Sequence, residues 1–329
     1  MNDNKIFVSV VIPTFNRCNY LIRILNILRS NFLNFKHFEV LICDSLSKDQ
    51  TKIKLNSFIK NNSSFSISYF NVRENNNSLK RNIGIKKAKG KYVILLDDDC
   101  LPTNDFIREY YFILEKYKCN SNIYCGSVKY PSHLLKYNFV RYRQSRHFFI
   151  KKKYLIFDKK LLPKNIVTMN MAFNKRLLLE NNLLFNEKFN RYGFEDYEFG
   201  YRLVSKGFKL IPSSPLVFHY DSRNFQKYLN KLKFMGFESS NFLKKINYKA
   251  AICNNFYNLE NNFIFKKLIK INFFNSLLLI FEKISIKLEK NFIYFPMIYK
   301  FAFLGAYLQG CIRKSNKNYF QTIKDTWYK

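Results

Sequence analysis

At 329 residues the chain is long enough for one large α/β domain with an appendage, and with 47% hydrophobic residues it falls outside the disordered and low-complexity classes. Its 56 Lys and Arg stand against 23 Asp and Glu, and the net charge of +33 excludes a charge-balanced surface. So basic a chain points either to a polyanionic partner (nucleic acid, an anionic membrane surface, a phosphate-bearing substrate) or to a lysine-rich codon usage.

The first hundred residues alternate strand and helix periods. FVSVVIP (7–13) reads as a strand, and NRCNYLIRILNILRSN (16–31) as a helix with Asn16 as its N-cap. FEVLICD (38–44) is a second strand, KDQTKIKLNSFIKN (48–61) a helix and FSISYFNV (65–72) a third strand. SLKRNIGIKKAKG (78–90) is a helix closed by Gly90, and YVILL (92–96) is a fourth strand, apolar on both faces. This order predicts a doubly wound, mostly parallel sheet flanked by helices, with ligands at the carboxyl ends of its strands.

Further on, 105–117 is helical, 122–128 a strand, and 129–164 basic, aromatic and poorly periodic, as expected of a mobile loop or lid. A strand follows over 166–173, then a short helix around 174–181 and a helix over 195–207 closed by Gly207. One or two strands over 209–221 end at His219. From 222 the chain reads as mostly helical, with 19 basic residues against five acidic, a net +14. We therefore divide it into residues 1–221 and a basic helical region over 222–329. The latter would serve membrane contact, acceptor binding or a homo-oligomer interface, or would pack on the catalytic core.

The seven cysteines, at 18, 43, 100, 119, 125, 253 and 311, lack zinc-site spacing, and most read as buried free thiols of a reducing cytoplasm. A strand beginning almost at residue 1 argues against a secretory leader, and no run of 18 apolar residues suggests a spanning helix. The expected location is cytoplasmic, peripheral to the inner face of the membrane where the basic helices touch it.

Three groups of residues carry possible chemistry. Asp97, Asp98 and Asp99 follow the fourth strand with no spacer. In an extended chain Asp97 and Asp99 share one side and suit a hard divalent cation such as Mn²⁺ or Mg²⁺ with a diphosphate, while Asp98 points away as a supporting residue. The alternative is a solvated turn. Glu195 and Asp196 open a helix on which Glu195, Glu198 and Arg202 share a face, either as acid–base groups or as a charged N-terminus with a surface ion pair. His219 is a metal ligand or a satisfied core residue. Residues 129–164 also hold Arg141, Arg143, Arg146 and Lys151–Lys153 among aromatics, as an acceptor lid or a solvated basic loop would.

Taken together, the ordered motifs VSVVIPTFNR, ICDSLSKDQT, KRNIGIKKAKGKYVILLDDDC and GFEDYEFGYRL resemble the family 2 glycosyltransferases of the GT-A fold over residues 5–221. That resemblance implies a Rossmann-like sheet and transfer of a sugar from a nucleotide-sugar, expected to be a UDP-sugar, to a glycan or lipid-linked acceptor in cell-surface polysaccharide synthesis. Pro13, Thr14 and Asp44 would hold the nucleoside. Arg81 would contact base or phosphates, Asp97 ribose or metal, and Asp99 metal. Asp196 would be the base of an inverting reaction, Glu195 would hold a sugar hydroxyl, and His219 would be a third metal ligand. Ser45 and Leu46 depart from the family's Asp-Asp-Gly pattern. A nucleotidyltransferase is less well supported because PTFNRCN has no Gly-rich phosphate loop, and no nucleic-acid module accounts for the charge, so nucleic acid is not an expected partner.

Overall fold

The computed structural model describes residues 6–33, 35–118, 121–147, 161–166, 168–190, 192–220, 224–254, 262–270, 272–291 and 293–312. Two compact units divide the chain. One comprises 1–130, 146–190 and 195–221, the other 131–145, 191–194 and 222–329. The second unit therefore takes two short pieces from inside the first stretch of sequence.

The first unit is built on an eight-stranded sheet. Its strands are β1 (Val8–Thr14), β2 (Phe38–Asp44), β3 (Ser66–Asn71), β4 (Tyr92–Leu96), β5 (Cys100–Pro102), β6 (Asn122–Lys129), β7 (Asn170–Asn174) and β8 (Lys209–His219), in the order β3-β2-β1-β4-β7-β6-β8-β5. β1 pairs parallel with β2 and β4, β2 with β3, and β6 with β8. β7 runs antiparallel to β4 and β6, and β5 antiparallel to β8. The helices are α1 (Cys18–Phe32), α2 (Thr51–Lys60), α3 (Asn77–Lys87), α4 (Phe106–Lys116), α5 (Asn138–His147, whose first eight residues belong to the second unit), α6 (Lys175–Glu180) and α7 (Glu195–Ser205).

Every residue of β1, β2 and β4 is buried, because helices cover both faces. Val10 and Ile94 pack with Leu21 and Leu25 on one face, and Val11 and Leu95 with Met171 and Leu203 on the other. Buried Glu39 in β2 is satisfied by Ser9 Oγ at 2.7 Å and Lys89 N at 2.6 Å. A Cβ on Gly84 would lie 2.2 Å from Val11 Cγ1, so glycine lets α3 lie directly on β1. The chain winds from β1 outward to β2 and β3, then crosses to β4 on the other side of β1. The carboxyl ends of β1 and β4 therefore flank a topological switch point, where α/β sheets bind ligands.

Several expectations change. Asn16 is not the N-cap of α1. It lies at φ +53° and accepts from Lys48 N at 2.7 Å, while Asp49 accepts from Cys18 N at the helix start. Gly90 does not close α3, which ends at Lys87. A Cβ on Gly90 would sit 2.7 Å from Ser9 N, so glycine is required there by close approach and not by a cap. Residues 129–164 are not all loop, because they contain α5. Residues 148–160, with Lys151–Lys153, lie outside the described residues. β5 was not expected, and 209–219 forms one long strand.

The second unit holds α8 (Phe225–Phe234), a π-turn (Met235–Ser239), α9 (Ser240–Ile246), α10 (Tyr248–Cys253), α11 (Phe263–Lys270), α12 (Asn272–Lys287) and α13 (Pro296–Ile312). The Asn138 amide at the start of α5 donates to Leu288 O at 2.7 Å and Ile293 O at 2.8 Å, closing the carboxyl end of α12. Phe139 N donates to the Glu289 carboxylate at 3.2 Å. Arg141 and Arg143, expected in a lid, lie over the rings of Tyr294 and Tyr228 at 4.4 and 4.7 Å. No helix among the described residues is long and apolar enough to cross a membrane.

Burial pushes the Glu289 carboxyl from 4.5 up to about 7. The folded chain thus binds this proton more tightly than the unfolded chain. The group's contribution to stability is full below about pH 4.5 and is lost as pH rises through about 7. Glu289→Gln, which resembles the neutral acid, is expected to flatten the fall in melting temperature between pH 5 and 8 and to melt above the wild type at pH 8. Thermal melts across that range check this.

Candidate active site

The residues expected to act gather at the carboxyl rim of the sheet in the first unit. The three acids do not alternate. Asp97–Asp99 form a tight turn between β4 and β5, with Cys100 N donating to Asp97 O at 3.0 Å, and their side chains go three ways. The extended pairing of Asp97 with Asp99 is therefore corrected, because a turn has no two-residue side-chain period.

Asp97 meets Arg81. The guanidinium is 3.0 Å from Asp97 Oδ1 and 3.5 Å from Asp196 Oδ1, over the Phe185 ring. Arg81 is buried, which opposes its charge, but Asp97 and Asp196 outweigh that and hold it firmly protonated. Its Nε and Nη1 make no hydrogen bond in the structure. Asp196 lies in the first turn of α7, beyond a sharp bend with Gly193 and Phe194 at φ +97° and +71°. Burial raises the Asp196 pKa, with Arg81 and Thr168 opposing. Glu195 stands beside it, and its charge also acts on Arg81. Glu198 turns away to pair with Arg202 at 2.7 Å, so it serves the helix and not the rim.

Asp98 turns inward and accepts from Thr14 Oγ1 at 2.7 Å, so its place is at the end of β1. Burial raises its pKa, against Arg17. Asp99 faces Arg17, with which it makes a close ion pair, and His219, whose Nε2 is 3.5 Å away. Burial works against the Asp99 charge, but His219 and Arg17 hold its carboxyl well below the usual range. His219 arrives because β8 pairs with β5, placing it opposite Cys100, and its Nδ1 lies 3.3 Å from the Tyr130 hydroxyl.

Asp44, expected at the nucleoside, is fully buried at the end of β2 beside Thr14. Ser47 Oγ donates to it at 2.5 Å and Tyr69 of β3 at 2.7 Å, so its carboxylate ties the loop that follows to the neighbouring strand. Pro13 is buried in β1 opposite Cys43.

Sequence reasoning missed four residues. Lys80 was one lysine among many, but its buried ammonium donates to Thr14 O at 3.2 Å and Asn75 Oδ1 at 3.0 Å. Burial pulls its pKa down, and Asp98 and Asp44 oppose this. Arg17 was visible in the motif TFNR yet had no assigned partner. Thr168 donates to Asp196 Oδ1 at 2.8 Å, and Tyr69 holds Asp44; nothing in their local sequence marked either.

The oxygen of Asp99, the nitrogen of His219 and the sulfur of Cys100 lie within 4.8 Å of one another. A carboxylate with an imidazole fits Mn²⁺ better than Mg²⁺, which prefers oxygen alone. Asp97 stands apart from this trio, on Arg81.

The sequence profile described as Glycosyl transferase family 2 matches residues 9–181, just over half of the chain. An uncharacterised glycosyltransferase of Rickettsia conorii is 37% identical over 107 residues, 32% of this chain and 17% of that protein, so the match spans a small part of the relative's length. A dolichyl N-acetyl-alpha-D-glucosaminyl phosphate 3-beta-D-2,3-diacetamido-2,3-dideoxy-beta-D-glucuronosyltransferase of Methanococcus voltae is 24% identical over 235 residues, 66% of this chain and 68% of that one. Among solved structures, a mannosyltransferase from Pyrobaculum calidifontis, in complex with GDP-Man and Mn²⁺, superposes with a TM-score of 0.56. It is 15% identical, over 95% of this chain and 89% of that one, a likeness of fold.

The loop after β2 carries a strained residue. Leu46 lies at φ +56°, half exposed, where a side chain is disfavoured by about 1 kcal/mol. Leu46→Gly is expected to raise stability by up to about 1 kcal/mol, less the entropy that glycine adds to the unfolded chain. Denaturant melts of the two proteins measure the difference.

Proposed function

The chain belongs to glycosyl transferase family 2, and on that premise we propose that it is a metal-dependent, inverting transferase. It moves a sugar from a nucleoside diphosphate sugar, by family tendency a UDP-sugar, to a hydroxyl of a glycan or lipid-linked acceptor in surface polysaccharide synthesis. The observation that carries this reading is the bridge from Asp97 through Arg81 to Asp196, which joins two motif acids distant in sequence at one rim.

The roles follow from the chemistry. Asp99 and His219 would hold a divalent cation, Mn²⁺ before Mg²⁺. When bound, the cation supplies Lewis-acid stabilisation of the charge that grows on the leaving diphosphate. Arg17 also pairs with the Asp99 carboxylate. Arg81 would contact the base or a phosphate, and its buried Nε and Nη1 would reach a ligand oxygen only if the side chains around them shift. Thr14, Pro13 and Asp98 line the end of β1 where the nucleoside would lie, with Asp44 supporting that end through its loop. Asp196 takes the proton of the attacking hydroxyl. Attack on the face opposite the leaving group inverts the anomeric carbon. Glu195 beside it would hold a hydroxyl of the sugar.

Asp196→Asn is expected to lower transfer about 100- to 10,000-fold while leaving UDP-sugar affinity nearly unchanged, as read by calorimetry in Mn²⁺. Because the Asp196 pKa is raised and the base must be ionised, wild-type activity should fall as pH drops, at a pH above the ordinary carboxylate range. Full transfer by the variant would remove Asp196 as the base.

We further propose that the second unit rests on an anionic membrane surface. The exposed side of α12 carries Leu279, Ile280 and Ile284 beside Lys283 and Lys287, and Phe263, Ile264, Phe295 and Met297 are also exposed. A homo-oligomer interface is the competing use of these apolar residues. Flotation with vesicles containing phosphatidylglycerol should carry the protein at low salt and release it at high salt. Failure to float at low salt, with a dimer in sedimentation, favours the interface.

A further inference from the structure

We infer that Thr168 is a positioning residue for the transfer step, one that ties one oxygen of Asp196 inside the protein and leaves the other to face the acceptor. This rests on Asp196 being the base. Thr168 is completely buried, two residues before β7, the strand that separates β4 from β6. Its hydroxyl donates to Asp196 Oδ1 at 2.8 Å, and its backbone N–H also hydrogen-bonds that carboxylate. Arg81 Nη1 stands 3.5 Å from the same Oδ1. The Thr168 hydroxyl and Arg81 thus meet the same oxygen, and the side chain remains 32% exposed. Oδ1 is therefore the oxygen that the hydroxyl and the guanidinium hold from the protein side.

A carboxylate on a helix terminus rotates freely about its last torsion unless something holds it. A base that rotates spends part of its time misaligned with the proton it removes, and small misplacements lower rates strongly. Arg81 alone does not fix the rotation, because it is shared with Asp97. Thr168 supplies the second point of attachment. A β-branched side chain at a buried position has a restricted rotamer, so the hydroxyl stays aimed.

The groups that face Asp196 are Arg81 of α3, Asp97 at the end of β4, and Thr168. Removing the Thr168 hydroxyl takes away a donor that favours the ionised carboxylate, so the acid limb of activity should move to higher pH. Thr168→Val keeps the volume and loses the hydroxyl; Thr168→Ser restores it.

The test uses the full chain and hydrolysis of the UDP-sugar that calorimetry shows to bind, with water as the acceptor, so that no natural acceptor is needed. Thr168→Val should reduce turnover about 10- to 100-fold, the loss expected for a hydrogen bond to a charged group. UDP affinity should stay within about twofold, since the donor's diphosphate is held elsewhere. The acid limb should move up, and Thr168→Ser should return both turnover and limb toward wild type. If Thr168→Val melts early, Thr168→Ala against Thr168→Ser gives the same comparison. Wild-type turnover with an unmoved acid limb in the hydroxyl-free variants, alongside an inactive Asp196→Asn, overturns the role of Thr168 alone. An active Asp196→Asn overturns the base assignment, and the Thr168 role with it.

Discussion

The Arg81 guanidinium is buried, and a buried cation is tolerable only where carboxylates neutralise it. Asp97 and Asp196 do so, and in doing so they tie the end of β4 to the start of α7. The close approach of α3 to β1, possible only because residue 84 is glycine, sets where that guanidinium sits. The same requirement governs the rest of the rim. Asp98 is turned onto Thr14, Asp99 onto Arg17 and His219, and Asp44 onto Ser47 and Tyr69. Every acid of this charge-dense corner has a partner, some sharing one cation, which is how so many carboxylates occupy one end of a buried sheet.

That division of partners also separates functions within three adjacent residues. Asp97 communicates with the acid proposed as base, and Asp99 with the imidazole and thiol that could share a cation. Asp98 belongs to the end of β1, where it accepts from Thr14. A single turn of backbone therefore addresses three parts of the proposed reaction, and only an irregular segment could do so, because a strand offers two directions and a helix offers one face at a time. The strand β8 completes the corner from the far end of the unit, since its antiparallel pairing with β5 sets His219 opposite Cys100.

Much of this was legible in the chain. The strands Phe38–Asp44 and Tyr92–Leu96 are where the apolar runs placed them, because strands buried on both faces read as continuous hydrophobic segments bounded by polar residues. The Asn76 side chain caps α3 by accepting from Leu79 N, a local signal that the reading of a helix from Ser78 passed over. What was misread involves partners distant in sequence. Asn16 resembled an N-cap until the loop at Ser47–Lys48 claimed it. Gly90 resembled a helix stop until Ser9 approached it. The helix α5 has a poor apolar period, and its start is held instead by the carbonyls after α12 and by Glu289.

By itself the sequence determined the alternating α/β order, the apolar strands that form the core, the acids at the strand ends and the family to which they point, because periodicity and motif spacing are local properties of the chain. Tertiary structure alone decided which acid meets which cation, that Lys80 is a buried ammonium and not a surface one, and that Thr168 touches Asp196. Those pairings join residues 16 to 115 positions apart. Side chains so far apart in the chain are brought together only by the packing of strands and helices, and no local pattern records which of them will meet.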